Sequence, residues 1–206
     1  MKKLAQTLWT EILPRAPVFT TAQAAQAAGL ALSNASRDLA SLAKQGVIVR
    51  IRRGLWAVPG HPDFSPYVVV PYLAGGDEEG YVSLLSAMNL HGMIEQIPGR
   101  IQVVAQRWRS TRTTPVGTFE FHQVSEDLFG GYEPYGTAGR FLLATPEKAV
   151  FDLLYLSAQR GKRFARLPEM ELPRRFRRSE IRRWAKKLSS PAYRAAVLSR
   201  AAALEL

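Results

Sequence analysis

The chain of 206 residues has no cysteine. Disulfides, thiolate metal sites and a cysteine nucleophile are therefore excluded. Histidine is scarce: His61, His91 and His122 are far apart in sequence and make a poor basis for a metal or catalytic centre. There is no Gly-rich phosphate loop and no nucleophile-elbow motif. No cofactor is implied. The longest apolar run, Tyr67 to Ala74, is interrupted by Pro71 and falls far short of the ~20 residues of a spanning helix. The N-terminus, Met1-Lys2-Lys3-Leu4-Ala5-Gln6-Thr7, lacks the apolar core of a signal peptide. The expectation is a soluble, cytoplasmic protein with no membrane contact.

What is present is a core-forming composition and a large positive charge. The chain is 47% apolar and 22% charged, enough for one large or two small packed domains. Its net charge is +11, which favours a polyanionic partner such as DNA or RNA. The charge is unevenly placed. Residues 1–60 hold eight Lys/Arg and two acids, residues 61–150 six and ten, and residues 151–206 fourteen and five. Two basic ends around an acidic middle suggest two separate polyanion-facing surfaces.

The first sixty residues read as a winged helix-turn-helix. Leu4, Leu8, Ile12 and Leu13 recur at helical spacing before Pro14. Thr20 and Gln23 have capping-box spacing, which predicts a second helix ending at Gly29. Ser33 is the expected cap of a third helix, running to about Gln45, with Ala35, Leu39, Leu42 and Ala43 buried. Val47 to Ile51 and Leu55 to Val58 then read as two strands around the turn Arg52-Arg53-Gly54.

The third helix suits the major groove, where base edges carry a distinct donor and acceptor pattern. Its outward residues are Ser33, Asn34, Ser36, Arg37, Ser41 and Lys44. Asn pairs bidentately with adenine and Arg with guanine. Arg50, Arg52 and Arg53 cluster on the wing and suit phosphates or a narrow minor groove. Trp56 reads as core of the wing rather than as a stacking platform.

His61 to Pro66 looks like a short linker, so the two parts are expected to touch. Beyond it the pattern is mixed α+β. Tyr67 to Tyr72 reads as a strand, followed by an acidic turn at Asp77-Glu78-Glu79-Gly80. A helix capped by Ser83 is expected to run to His91. Ile101 to Val104, Thr118 to Val124 and Phe141 to Ala144 read as strands. Thr145-Pro146-Glu147 starts a helix that buries Val150, Leu153, Leu154 and Ser157 and stops near Gly161. A nuclease would need clustered acids beside a lysine. The available set is Glu120, Glu147, Lys148 and Asp152, and it reads instead as helix capping and surface charge. In the tail, Ser179 is the expected cap of a helix with the apolar stripe Ile181, Trp184, Ala185 and Leu188. Arg174, Arg175, Arg177, Arg178, Arg182, Arg183, Lys186 and Lys187 surround it as a candidate polyanion-binding surface. A final helix starts near Pro191.

With those motifs in hand, the chain resembles the AbiEi antitoxin family of type IV toxin–antitoxin systems, along nearly its whole length. Three stretches carry the resemblance. The first is Arg52-Arg53-Gly54-Leu55-Trp56-Ala57-Val58, where the family usually has Tyr at the Trp56 position. The second is Tyr81-Val82-Ser83-Leu84-Leu85-Ser86-Ala87-Met88-Asn89-Leu90-His91-Gly92. The third is Ala144-Thr145-Pro146-Glu147-Lys148-Ala149-Val150-Phe151-Asp152-Leu153-Leu154. The resemblance implies a bacterial repressor of its own operon, and an antitoxin against a neighbouring nucleotidyltransferase-type toxin without a stable complex between them. It also implies that the C-terminal domain carries antitoxicity; no motif assigns residues to that role.

The expected organisation is a DNA-binding domain at 1–60 and an α+β antitoxin or effector domain at 61–206 with basic C-terminal helices. The expected function is sequence-specific repression through double-stranded operator DNA, with no catalysis. The rival readings are a stand-alone regulator, a nuclease, and an RNA-binding module using the basic tail.

Overall fold

The computed structural model describes residues 2–76, 79–107, 110–136, 140–158 and 167–206. The N-terminal helix α1 (Lys2–Thr7) continues into a π-helical turn (Leu8–Ile12) and buries Leu4, Leu8 and Leu13. Strand β1 (Val18–Thr20) leads directly into α2 (Thr21–Ala28). The capping box forms as expected: Thr20 Oγ1 accepts from the Gln23 N–H, and the Gln23 side chain accepts from the Thr20 N–H. Gly29 closes α2 at φ 61°, the left-handed position that glycine adopts without a Cβ clash. Helix α3 (Leu32–Lys44) starts earlier than expected. Its N-cap is Ala31, with no side-chain cap bond, and Ser33 lies one residue inside the helix.

Strands β2 (Val49–Arg52) and β3 (Leu55–Ala57) form the wing, and β1 joins them to make an antiparallel sheet ordered β1-β3-β2. Each face of this sheet contributes to a core. Phe19, Trp56 and Val58 pack with Leu4, Leu8, Leu39 and Ile48 in one core. Val18, Ile51, Leu55 and Ala57 alternate with them and pack into the core of the following residues. The period of two in a strand sends neighbours to opposite faces. Each fully buried side chain of Val, Leu or Ile size contributes about 1.5–3 kcal/mol. A fragment ending at residue 60 would therefore expose a face that the whole chain uses as core.

A second, six-stranded mixed sheet is ordered β6-β7-β5-β4-β9-β8. Its strands are β4 (Gly80–Val82), β5 (Ile101–Ala105), β6 (Ser110–Thr114), β7 (Gly117–Gln123), β8 (Tyr132–Tyr135) and β9 (Phe141–Ala144). β5 runs parallel to β7 and β4 parallel to β9; the other pairs are antiparallel. The remaining helices are α4 (Val70–Ala74), α5 (Leu84–Leu90), α6 (Pro146–Ala158), α7 (Arg178–Lys186) and α8 (Pro191–Ala202). α5, α7 and α8 all pack against α6, which is buried on nearly every side.

Several expectations change. Tyr67 to Tyr72 is helical: a 3-10 turn (Pro66–Val69) runs into α4. A short apolar run has no period to distinguish strand from helix, and Pro71 suits the first turn of a helix better than a sheet. Arg177 rather than Ser179 caps α7. Lys148 and Asp152 are fully buried and Glu147 nearly so, contrary to their reading as surface charge. The α6 terminus near Gly161, and Asp77 and Glu78 of the acidic turn, lie outside the described residues.

Candidate nucleic-acid interface

Helix α3 keeps Ala35, Leu39 and Leu42 inside and leaves Ser33, Asn34, Ser36, Arg37 and Lys44 exposed. Ala43 and Ser41 are half-buried. A groove of about 610 Å³ separates this helix from the wing, lined by Leu32, Ser33 and Ser36 on one side and Arg50, Arg53 and Trp56 on the other. Trp56 is core, as expected, and its Nε1–H donates to Thr21 Oγ1 at 2.8 Å, tying the wing to α2. Arg50 lies over the Trp56 ring, 5.7 Å from its centroid. Arg53 and Gly54 form the turn, with Gly54 at φ 79°.

Arg52 behaves differently. The pairing of β2 with β3 slips between Arg50 and Arg52. Such an irregularity re-aims a side chain, and the Arg52 guanidinium donates to the Tyr72 carbonyl at 3.1 Å. The Tyr72 hydroxyl donates in turn to the Val18 carbonyl. Arg140 adds a third tie, donating to the Arg15 carbonyl at 3.0 Å and standing 3.6 Å from the Asp63 carboxylate. Of the three wing arginines, Arg50 and Arg53 face the groove, and Arg52 fastens the wing to the body of the molecule.

The tail places all eight of its candidate cations at the surface, around the buried stripe Ile181, Trp184, Ala185 and Leu188. Four of them also serve the fold. Arg177 is 3.8 Å from Glu147, and its N–H donates to the same carboxylate. Arg178 donates to the Glu205 carbonyl, and Arg183 meets Glu180 at 2.8 Å. Lys187 donates to the Asp127 carbonyl and sits 4.3 Å from the centre of the Trp184 ring. Arg174, Arg175, Arg182 and Lys186 extend the same exposed surface.

The polar cluster that sequence reasoning missed lies inside α6. Lys148 Nζ donates to Asp152 Oδ1 one turn along the helix. Asp152 Oδ2 accepts from the Ser83 hydroxyl at 2.7 Å and the Tyr81 hydroxyl at 3.0 Å. The ammonium is ringed by Trp184, Phe151 and Tyr81, at 4.4, 5.1 and 5.7 Å from their centroids. Burial pushes the Asp152 carboxyl up, against the opposing pull of Lys148, Ser83 and Tyr81. Burial likewise pushes the Lys148 ammonium down, against Asp152. Burial and the Asp152 charge hold the Tyr81 phenol well above its ordinary value. The i, i+4 spacing of Lys and Asp in an otherwise apolar helix was the available signal. Ser83 caps α5 by position only, because its hydroxyl is given to Asp152. Leu84, buried beside it, takes φ 55°, a region that non-glycine residues rarely adopt.

The nuclease set does not assemble into an open acidic site. Lys148 and Asp152 are sealed in the core, Glu147 is engaged by Arg177, and Glu120 lies on β7, 4.0 Å from Arg100. His91 Nε2 contacts the Ala144 carbonyl at 2.7 Å, and His122 is buried 3.9 Å from Glu120. Among the described residues, no group of three His, Cys, Asp or Glu is placed to hold a metal. Among them, too, no helix is long and apolar enough to cross a membrane.

No curated protein matches the sequence. Among solved structures the chain is similar to that described as the crystal structure of RV2827C protein from Mycobacterium tuberculosis, at 15% identity. The TM-score is 0.53, with 95% of this chain and 71% of that chain covered, a likeness of fold. Residues 11–59 match the family described as "Transcriptional regulator, AbiEi antitoxin". Of the three stretches that carry the resemblance, only Arg52 to Val58 falls inside that match. The other two meet in the buried cluster, one supplying Tyr81 and Ser83 and the other Lys148 and Asp152. The family likeness thus rests on residues 11–59, the stretch that holds α2, α3 and the wing.

Proposed function

We propose that the protein is a repressor that reads double-stranded operator DNA ahead of its own operon, and that it serves as the antitoxin to a nucleotidyltransferase-type toxin without forming a stable complex with it. The observation that carries the DNA reading is the groove between α3 and the wing, with Ser33 and Ser36 beside Leu32 on the helix side and the cations Arg50 and Arg53 on the wing side. Asn34 and Arg37 lie on the adjoining exposed face of α3 and reach base edges, while Arg50 and Arg53 hold the backbone. Residues 1–60 form the reading head, and residues 61–206 carry antitoxicity in the cytoplasm. No step of this function calls for catalysis.

Footprinting on the DNA upstream of the gene tests the first half. Protection of one stretch is expected, and Asn34→Ala or Arg37→Ala should each weaken it by about 1–3 kcal/mol while relaxing specificity. Equal affinity of all three proteins for the protected duplex and a scrambled one overturns the assignment. Co-expression with the toxin tests the second half: growth is restored by the full chain, and no toxin co-purifies with it.

The basic surface around α7 favours a second polyanion contact. In this reading it follows the flanking DNA backbone. Competition by tRNA at concentrations where duplex DNA fails to compete would assign it to RNA instead.

A further inference from the structure

Leu32 is misplaced for a leucine. It is 58% exposed and belongs to neither core, although it opens a helix whose buried stripe is already complete with Ala35, Leu39 and Leu42. Leu32, Ser36 and Ala40 follow one another at intervals of four, so they share the face of α3 that borders the wing. The exposed residues that follow it in the first turns of α3, Ser33, Asn34 and Ser36, all end in hydrogen-bonding groups.

Single exposed leucines are ordinary. The position of this one is not, because the N-terminal residues of a recognition helix are the ones that meet base edges. The major-groove edges of the four bases carry donors, acceptors and one apolar group, the C5 methyl of thymine. A hydroxyl or amide gains nothing from that methyl, whereas an exposed leucine can bury it. The alternative, packing on deoxyribose, would carry no sequence information.

We propose that Leu32 is a specificity residue that reads a thymine methyl at one operator position. The proposal rests on the DNA reading given above and deepens it.

The test uses the full chain. A preferred duplex is selected from random-sequence DNA, and each thymine in it is replaced in turn by deoxyuridine, which differs only by the methyl. For the wild type, one or two positions are expected to lose about fourfold in affinity, the value of one buried methyl. Leu32→Ala should bind thymine and uracil equally at those positions, and Leu32→Val should retain part of the difference. Circular dichroism should show an unchanged fold, since the side chain supports neither core. A flat wild-type scan, or the same loss in Leu32→Ala, overturns the proposal while leaving DNA reading intact. Failure to select any preferred sequence overturns the DNA reading and the proposal together.

Discussion

Breaking the Lys148–Asp152 pair from either side should destabilise the protein by similar amounts but with opposite pH dependence. Both side chains are fully buried, and Asp152 also holds the Ser83 and Tyr81 hydroxyls. Removing one member leaves an uncompensated charge in the core, at a cost of about 3–5 kcal/mol. For a chain of this size each kcal/mol corresponds to about 2–4 °C, so Tm should fall by roughly 6–20 °C.

In Lys148→Met, the Asp152 carboxyl loses the cation that opposes its upward shift. Its folded pKa then lies further above the unfolded value of about 3.9. Between those two values the folded state binds more protons than the unfolded one, so stability rises as pH falls. The deficit of this variant against wild type should therefore shrink from pH 8 towards pH 5.

In Asp152→Asn, the Lys148 ammonium loses the partner that opposes its downward shift. Its folded pKa lies further below the unfolded value of about 10.4. The unfolded state now binds more protons in that window, so stability rises with pH. This deficit should shrink from pH 7 towards pH 10. Urea denaturation of both variants and of the double variant across that range is the assay. A loss under about 1 kcal/mol in either single variant, or pH trends of the same sign, would refute the account of a buried charged pair.

Four further outcomes follow from the geometry. Arg50→Ala and Arg53→Ala should each flatten the slope of log K against log salt by about 0.9. Arg52→Ala should leave that slope unchanged and instead lower Tm, because its guanidinium is held by the Tyr72 carbonyl. Gly131→Ala should destabilise by about 1–3 kcal/mol in thermal melts: at φ 73°, a Cβ there would stand 2.7 Å from Trp184 and 3.0 Å from Lys148. Changing Arg174, Arg175, Arg182 and Lys186 to Gln should leave the far-ultraviolet spectrum intact but weaken DNA binding at low salt, and unchanged binding would reduce the basic tail to a solvated surface.

The winged helix was readable because its signals are local. Thr20 with Gln23, Gly29, and the β-branched run Val47 to Ile51 leading into the turn Arg52-Arg53-Gly54 each determine a few residues of backbone. Their partners were not readable. Val18 to Thr20 reads as the approach to a cap, and only pairing with Leu55 to Ala57 makes it a strand. β6 is a polar edge strand, Ser110 to Thr114, and β8 contains Pro134. Both owe their extended form to a neighbour rather than to their own pattern. At the site, the outward face of α3 was legible from helical spacing. The slip that turns Arg52 away from Arg50 was not, because a strand's sequence carries no mark of where its pairing breaks. Lys148 and Asp152 read as surface because charge is rarely buried without a partner, and half of their partners lie about seventy residues away.

If the protein reads operator DNA as proposed, the wing sheet, with a core on each side, also limits how that operator can be spaced. A reading head on a flexible tether tolerates an added base pair between half-sites, because the tether takes up the change. Here the sheet buries Phe19 and Trp56 on one face and Val18, Ile51 and Leu55 on the other, and it is pinned by Arg52, Tyr72 and Arg140. One inserted base pair turns a half-site by about a tenth of a helical turn and shifts it by roughly 3.4 Å. With no slack to absorb that change, two copies on a palindrome would have to distort either the DNA or a hydrophobic core. For two copies so bound, the separation between half-sites would be as strict a requirement as the bases themselves, set by residues of the two cores.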